Sequence, residues 1–182
     1  MSQAAVPKLM IEPLDPAKHD RAAFSCGVEQ VDNFFRKTAN KLSKADNLRV
    51  FVMTDEDGRV IGFYALNTHS IDYSELPEKF ARNRPGHGSI PAIYISMIGR
   101  DENFMGGGDG GDLLVDCLTR IARVAENVGV AVVVLDVLDC GNPERTPKRR
   151  ALYLEYGFLP FLSNDMRLFL PIATIRTLIA NE

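Results

Sequence analysis

The run at 130–138, VAVVVLDVL, is apolar at every position but Asp136. A strand with so little alternation is covered on both faces, which is the pattern of a central, parallel strand. The segment before it, 112–128, carries Leu113, Leu114, Cys117, Leu118, Ile121, Val124, Ala125 and Val128 on one helical stripe. Gly129 stands where a left-handed residue would close that helix. Ahead of the helix lies a further strand pattern, PAIYISMI at 91–98, and between the two runs FMGGGDGGDLL at 104–114. Five of the chain's 14 glycines fall within six positions there. Such a loop is costly in backbone entropy unless the chain must take positive φ or pass very close to something. The order strand, glycine loop, helix, buried strand is that expected of a fold with a parallel strand pair.

The rest of the chain fits around this unit. A short strand is expected at 8–14. A helix follows, with Val28, Val31, Phe34, Phe35 and Leu42 at helical spacing after Phe24-Ser-Cys-Gly27. RVFVMT at 49–54 and VIGFYAL at 60–66 flank Asp55-Glu-Asp-Gly58, a strong hairpin signal. Residues 75–89 read as an irregular or short helical connector, and 142–150 as a polar segment with two prolines. Ala151–Tyr156 is expected to be a short helix ended by Gly157, Met166–Ile172 a last strand, and a helix from about Thr174 closes the chain. The expected whole is one mixed α/β domain over 1–182.

A net charge of −3 argues against a protein that holds nucleic acid by bulk charge, while leaving room for a local basic face. Cys26, Cys117 and Cys140 lack paired spacing, so a disulfide framework is not expected and a reducing cytoplasm is. His19, His69 and His87 lie far apart and no metal is expected. The first residues lack the continuous apolar core of a signal peptide, so none is expected, and no apolar run is long enough to span a bilayer.

A glycine turn between strand and helix aims bare main-chain N–H groups and the helix dipole at one point, where phosphate is the usual occupant. The spacing lacks the lysine of a mononucleotide loop, and no acidic residue follows at dinucleotide spacing. Asp109 weighs against phosphate. Asp112 as an N-cap is the purely structural alternative.

On these residues a family resemblance rests. Gly106-x-Gly108-x-Gly110-x-x-Leu113-Leu114, after a strand and opening a helix, resembles the acetyl-CoA pyrophosphate loop of GNAT N-acetyltransferases. Leu152-Tyr153-x-x-x-Gly157-Phe158 resembles a second GNAT segment, and Phe24-Ser-Cys-Gly27-Val28-x-x-Val31-Asp32-x-Phe34 with Met166–Ile172 narrows the likeness to GNAT toxins of toxin–antitoxin pairs. The resemblance covers about residues 8–172. It implies a GNAT fold: a central mixed, mostly antiparallel sheet, its parallel pair splayed at the acetyl-CoA site, with helices on both faces. It implies acetyl transfer to the α-amino group of aminoacyl-tRNA, blocking translation, and neutralisation by a small ribbon-helix-helix antitoxin; a homodimer is left open. The residues it assigns to acetyl-CoA are Ile98, Gly99, Arg100, Met105, Gly106, Gly107, Gly108, Asp109, Gly110 and Gly111, and its catalytic tyrosine is Tyr153. Two positions depart from the pattern: Met105 replaces a Gln or Arg, and Asp109 an apolar residue. Gly99-Arg100 also sits three positions late, where Arg100 could supply the charge that Met105 does not. A GNAT acting on a small amine or a protein N-terminus, and a catalytically weak binding module, are the alternative readings.

The chemistry suits these residue types. Strand amides at 98–100 can polarise a thioester carbonyl. A phenol, protonated at neutral pH, can give its proton to a departing thiolate. Cys140 lacks a visible base partner and reads as structural. For tRNA phosphates, Arg145, Lys148, Arg149 and Arg150 are the favoured contacts because they directly precede Tyr153. Arg36, Lys37, Lys41, Lys44 and Arg49 form a second basic set, and Arg82 and Arg84 a weaker one. A solvated helix face is the ordinary reading of such runs.

Overall fold

The computed structural model describes residues 9–84, 88–104 and 109–181, the side chains of Asp109 and Gly110 excepted. Seven strands, β1 (Met10–Pro13), β2 (Arg49–Thr54), β3 (Val60–Asp72), β4 (Ser89–Arg100), β5 (Val132–Asp136), β6 (Leu159–Phe161) and β7 (Asn164–Pro171), join in the order β1-β2-β3-β4-β5-β7-β6. The sheet is mostly antiparallel, with one parallel pair. That pair is β4 with β5, and Ala92–Ile95 stand opposite Val132–Leu135. The described residues also form six α-helices: α1 (Glu29–Asn33) and α2 (Ala39–Lys44) between β1 and β2, α3 (Glu78–Ala81) before β4, α4 (Asp109–Ala125) and α5 (Arg145–Glu155) on either side of β5 in sequence, and α6 (Ile172–Ala180) after β7. The chain divides into two compact units. One comprises Met1–Ala65 with Met97–Leu113, the other Leu66–Ser96 with Leu114–Glu182.

In the first unit, the hairpin of β2 and β3 turns where the Asp-Gly signal predicts. Asp55 Oδ1 accepts the N–H groups of Asp57 and Arg59, and Gly58 takes φ +78°. Phe24, Phe35 and Phe63 form an aromatic core, with Phe35 and Phe63 stacked at 4.1 Å. The helix expected around 28–44 is interrupted by a π-helical segment, Phe34–Thr38, in which the Ala39 N–H reaches back to the Phe34 carbonyl. Arg21 donates to the adjacent Phe35 carbonyl at 3.1 Å. Apolar spacing alone does not distinguish such an insertion from a regular helix.

In the second unit, Val132–Leu135 are all buried, as a strand covered on both faces requires. β5 also pairs with β7, antiparallel, from Val132 opposite Pro171 to Asp136 opposite Arg167. The stripe of α4 is buried from Leu114 through Cys117, Leu118 and Ile121, but Val124 and Val128 are 39% and 61% exposed. The helix ends earlier than its apolar pattern, at Ala125. Gly129 is not the left-handed closing residue: it has no positive φ, and the end is tied by the Asn127 and Val128 N–H groups to the Val124 carbonyl. No helix among the described residues is long and apolar enough to cross a membrane.

Candidate functional site

The first unit holds the residues expected to meet acetyl-CoA. Met105, Gly106, Gly107 and Gly108 lie outside the described residues. Asp109, Gly110 and Gly111 are the first three residues of α4, so the last two glycines open the helix rather than form the loop. Asp112 is the fourth helical residue and therefore not the N-cap, a correction to the structural alternative. Two glycines without Cβ in the first turn leave its orphan N–H groups unshielded.

Ile98, Gly99 and Arg100 form the half-buried end of β4. Gly99 has a second, structural reason: an added Cβ would lie 2.9 Å from Val31 Cγ1 and 3.3 Å from Cys26 Sγ. Arg100 donates to the Phe104 carbonyl, at the entrance to the glycine loop, so its guanidinium braces that turn. The strand end is fixed further by Asp101, only 3% exposed, whose Oδ2 accepts the Ser25 N–H and whose Oδ1 accepts the Asn103 N–H. Ser25 answers by accepting the Glu102 N–H at 2.8 Å. Asp32, also buried, accepts the Cys26 N–H at 2.7 Å, and Gly27 takes φ +83° between them. The Phe24–Asp32 motif is thus a latch that clamps the end of β4.

The second unit holds Tyr153, 8% exposed, on α5. Its spacing to Gly157 and Phe158 has a local cause. The Phe158 N–H bonds to the Tyr153 carbonyl, the Gly157 N–H bonds to the Leu154 carbonyl, and Gly157 takes φ +96°. This is a Schellman C-cap, and its usual apolar contact is made here by Tyr153 and Phe158, edge to face at 5.7 Å. The glycine and phenylalanine therefore fix where the phenol stands. Burial pushes the Tyr153 hydroxyl up to about 12, against the opposing charge of Arg149. The phenol is therefore neutral across the physiological range.

α5 begins at Arg145, six residues before the expected start. Asn142 Oδ1 accepts the Glu144 and Arg145 N–H groups, and Pro147 falls in the first turn, where its missing N–H is not needed. Of the four basic residues beside Tyr153, Arg149 donates to the Leu138 carbonyl and Arg150 to the Asp165 carbonyl. Arg145 is half-buried, and Lys148 is exposed. In the other set, Arg36 donates to the Phe24 carbonyl and Arg49 pairs with Asp46, while Lys37, Lys41 and Lys44 are exposed. Cys140 Sγ lies 3.4 Å from Thr146 Oγ1, a contact that draws its thiol below the usual range. Among the described residues no group of three or more His, Cys, Asp or Glu could hold a metal.

A polar cluster in the second unit escaped sequence reasoning. Arg167 on β7 grips Asp136 on β5 with both Nε and a terminal nitrogen, at 2.8 and 3.1 Å. Tyr94 on β4 donates to the same carboxylate at 2.5 Å. The His69 ring, on β3, lies 5.3 Å from that of Tyr94. Burial would raise Asp136, but the Arg167 guanidinium and the Tyr94 hydroxyl outweigh it and hold the carboxyl below its ordinary range. Burial, and then the Asp136 carboxylate, push the Tyr94 phenol up to about 12. One signal was present in the sequence: Asp136 is the single polar interruption of the most apolar strand.

Solved structures share this architecture. AtaT complexed with acetyl-methionyl-tRNAfMet superposes with a TM-score of 0.82 at 22% identity, over 94% of this chain and 99% of that one. A tyrosine-to-phenylalanine mutant of AtaT bound to acetyl-CoA and the C-terminus of the antitoxin AtaR gives 0.76 at 21% identity, over 94% and 98%. The fold is that of the GNAT toxins. No protein-family model matches the chain. Over 179 residues, 98% of this chain and 99% of the relative, it is 68% identical to a probable toxin TacT of Sinorhizobium fredii. A tRNA-acetylating toxin of Mycobacterium tuberculosis is 30% identical over 162 residues, 89% of this chain and 92% of the relative. The chain belongs to the TacT-type family of GNAT toxins.

Proposed function

We propose that this protein is an N-acetyltransferase that moves the acetyl group of acetyl-CoA onto the α-amino group of aminoacyl-tRNA, and so arrests translation as the toxin of a toxin–antitoxin pair. The observation that carries the reading is the 68% identity to a probable TacT toxin across nearly the whole of both chains. The tRNA-acetylating activity named for the mycobacterial relative, and the acetyl-CoA and acetyl-methionyl-tRNA held by AtaT, agree with it.

The chain's own residues take the following roles. Bound acetyl-CoA supplies an acetyl thioester. The amides at the start of α4, at Gly110 and Gly111, are the ones assigned to its pyrophosphate; the loop 105–108, assigned to it as well, lies outside the described residues. β4 runs from the last rung of its ladder with β5, at Ile95 and Leu135, on to Arg100. The resemblance assigns the thioester carbonyl to the end of β4, where the main-chain amides of Ile98, Gly99 and Arg100 would polarise it. The amine nitrogen bonds to the acetyl carbon, the carbon–sulfur bond breaks, and the sulfur takes a proton from Tyr153 Oη. The nitrogen's released proton restores the phenol. No strong base is needed, because an α-amino group titrates at about 7.7–8.0 even in a free terminus.

Lys148, exposed beside the proposed acid, is the first of the basic residues to assign to tRNA phosphates; Arg145, Arg149 and Arg150 complete the set. The antitoxin is read as a small ribbon-helix-helix protein and the compartment as the cytoplasm. The chain acts as one functional domain. Incubation with labelled acetyl-CoA and separate pools of aminoacyl-tRNA, polyamines and peptides tests the reading. Label in the tRNA pool alone is expected. Label confined to polyamines or peptides would replace the toxin reading with a small-amine or N-terminal one.

A further inference from the structure

The proton that Tyr153 gives up leaves a phenolate behind, and the surroundings of that oxygen decide how readily it goes. The ring is buried against Phe158, and among the described residues no hydrogen bond ends on the hydroxyl. A phenolate formed there lacks the water and the donors that steady it in solution, which is why burial pushes the phenol up to about 12. Two titratable side chains act on it. Cys117, from α4, is buried and its thiol is pushed well above the usual range, so it brings no positive charge. Arg149, from α5 itself, is the cation that opposes the burial.

The helix places Arg149 for this. It lies one turn before Tyr153 on α5. Side chains four apart share a helix face, and each leans toward the helix N-terminus, which brings a phenol at 153 over the turn of 149. Arg149 is half-buried, whereas Lys148 beside it is exposed. Its guanidinium donates at 3.1 Å to the carbonyl of Leu138, just past the end of β5, and is thereby tied inward. Among the described residues no carboxylate pairs with it. A guanidinium is a permanent cation with several donors, so one main-chain bond leaves its charge unmatched.

We propose that Arg149 is the positioning residue for the proton donor: its unmatched charge, anchored at the Leu138 carbonyl, steadies the Tyr153 phenolate left when the proton passes to the coenzyme sulfur. The inference rests on the acetyl-transfer reading above, with Tyr153 as its acid, and takes Arg149 out of the set assigned to tRNA phosphates. The O–H bond breaks as the S–H bond forms, and the proton released by the amine returns to the phenolate. Arg149 keeps all its protons throughout.

Arg149→Gln keeps a donor for Leu138 and removes the charge. With aminoacyl-tRNA as substrate, its kcat is expected to fall about tenfold, the equivalent of one pKa unit of lost support. Arg149→Lys, which keeps the charge, should stay within about threefold of the wild type. KM for the tRNA should change less than about threefold in both, with the wild-type dependence on salt. Loss of a phosphate contact would instead reduce that logarithmic salt slope by about 0.7–0.9. In a Tyr153→Phe background Arg149→Gln should have no further effect, because the group it acts through is gone. Wild-type turnover, measured in parallel, reports on the acetyl-transfer reading, and Tyr153→Phe alone on the acid; the ratios with Arg149 replaced report on this inference. Wild-type-like kcat in Arg149→Gln would overturn it. So would a tenfold loss repeated in the Tyr153→Phe background, an equal loss in Arg149→Lys, or a flattened salt slope. Failure of Arg149→Gln to fold would make Arg149 a clamp between α5 and the end of β5, and would overturn it as well.

Discussion

At position 99 a structural and a functional demand coincide. Gly99 is assigned to acetyl-CoA through its main chain, yet its missing side chain is required first by packing, since a Cβ would press on Val31 and Cys26. Gly99→Ala is expected to destabilise the fold by about 1–3 kcal/mol, the ordinary cost of overpacking. Adding Val31→Ala should recover part of that loss, which urea denaturation of the single and double variants measures. Tyr153 carries the corresponding prediction for chemistry. Tyr153→Phe should bind acetyl-CoA as the wild type does and lose roughly 100-fold to 10,000-fold in turnover, the range for a general acid. Because the acid works only while protonated and its phenol is raised to about 12, the rate should climb through the titration of the amine and not fall again below about pH 10. A descending limb between pH 8 and 10 would show that some other group gives the proton.

Elements were legible where a local pattern decides them. The buried strand β5 and the start of the stripe on α4 follow from apolar spacing, and the β2–β3 turn from Asp-Gly. Where the cause is tertiary, the sequence was silent. The far half of β3, through Asn67, Thr68, His69 and Ser70, is polar enough to read as loop, yet Ile71 two positions on from His69 is buried, and that alternation is what a half-covered strand shows. β6 has three residues and exists only through its pairing with β7. The site divides in the same way. Tyr153 could be found because Gly157 and Phe158 mark its cap locally, whereas the Tyr94–Asp136 contact joins positions 42 apart in the chain. The cap itself is testable. Gly157→Ala places a Cβ at φ +96° and 3.3 Å from Thr174 Cγ2. It should cost about 1–2 kcal/mol and lower turnover by displacing the phenol; unchanged stability and turnover would show that the cap does not fix Tyr153.

For the molecule as a whole, the ionised cluster on β4, β5 and β7 ties acid stability to the sheet. Asp136 titrates below its ordinary 3.8 in the folded chain. Its contribution is therefore complete above that value and is lost as the pH falls through the lower, folded one. Asp136→Asn should flatten the acid limb of the stability curve below about pH 4 and leave its slope near pH 7 unchanged; thermal melts across pH 2–7 check this. Activity at the molecular scale depends on a single chemical outcome. Aminoacyl-tRNA incubated with the protein and acetyl-CoA, then digested to its terminal nucleoside and weighed by mass spectrometry, reports where the acetyl group went. The expected product is aminoacyl-adenosine acetylated on the α-amino nitrogen, formed with the wild type and nearly absent with Tyr153→Phe. Unmodified aminoacyl-adenosine, or acetyl on any other atom, would contradict the account.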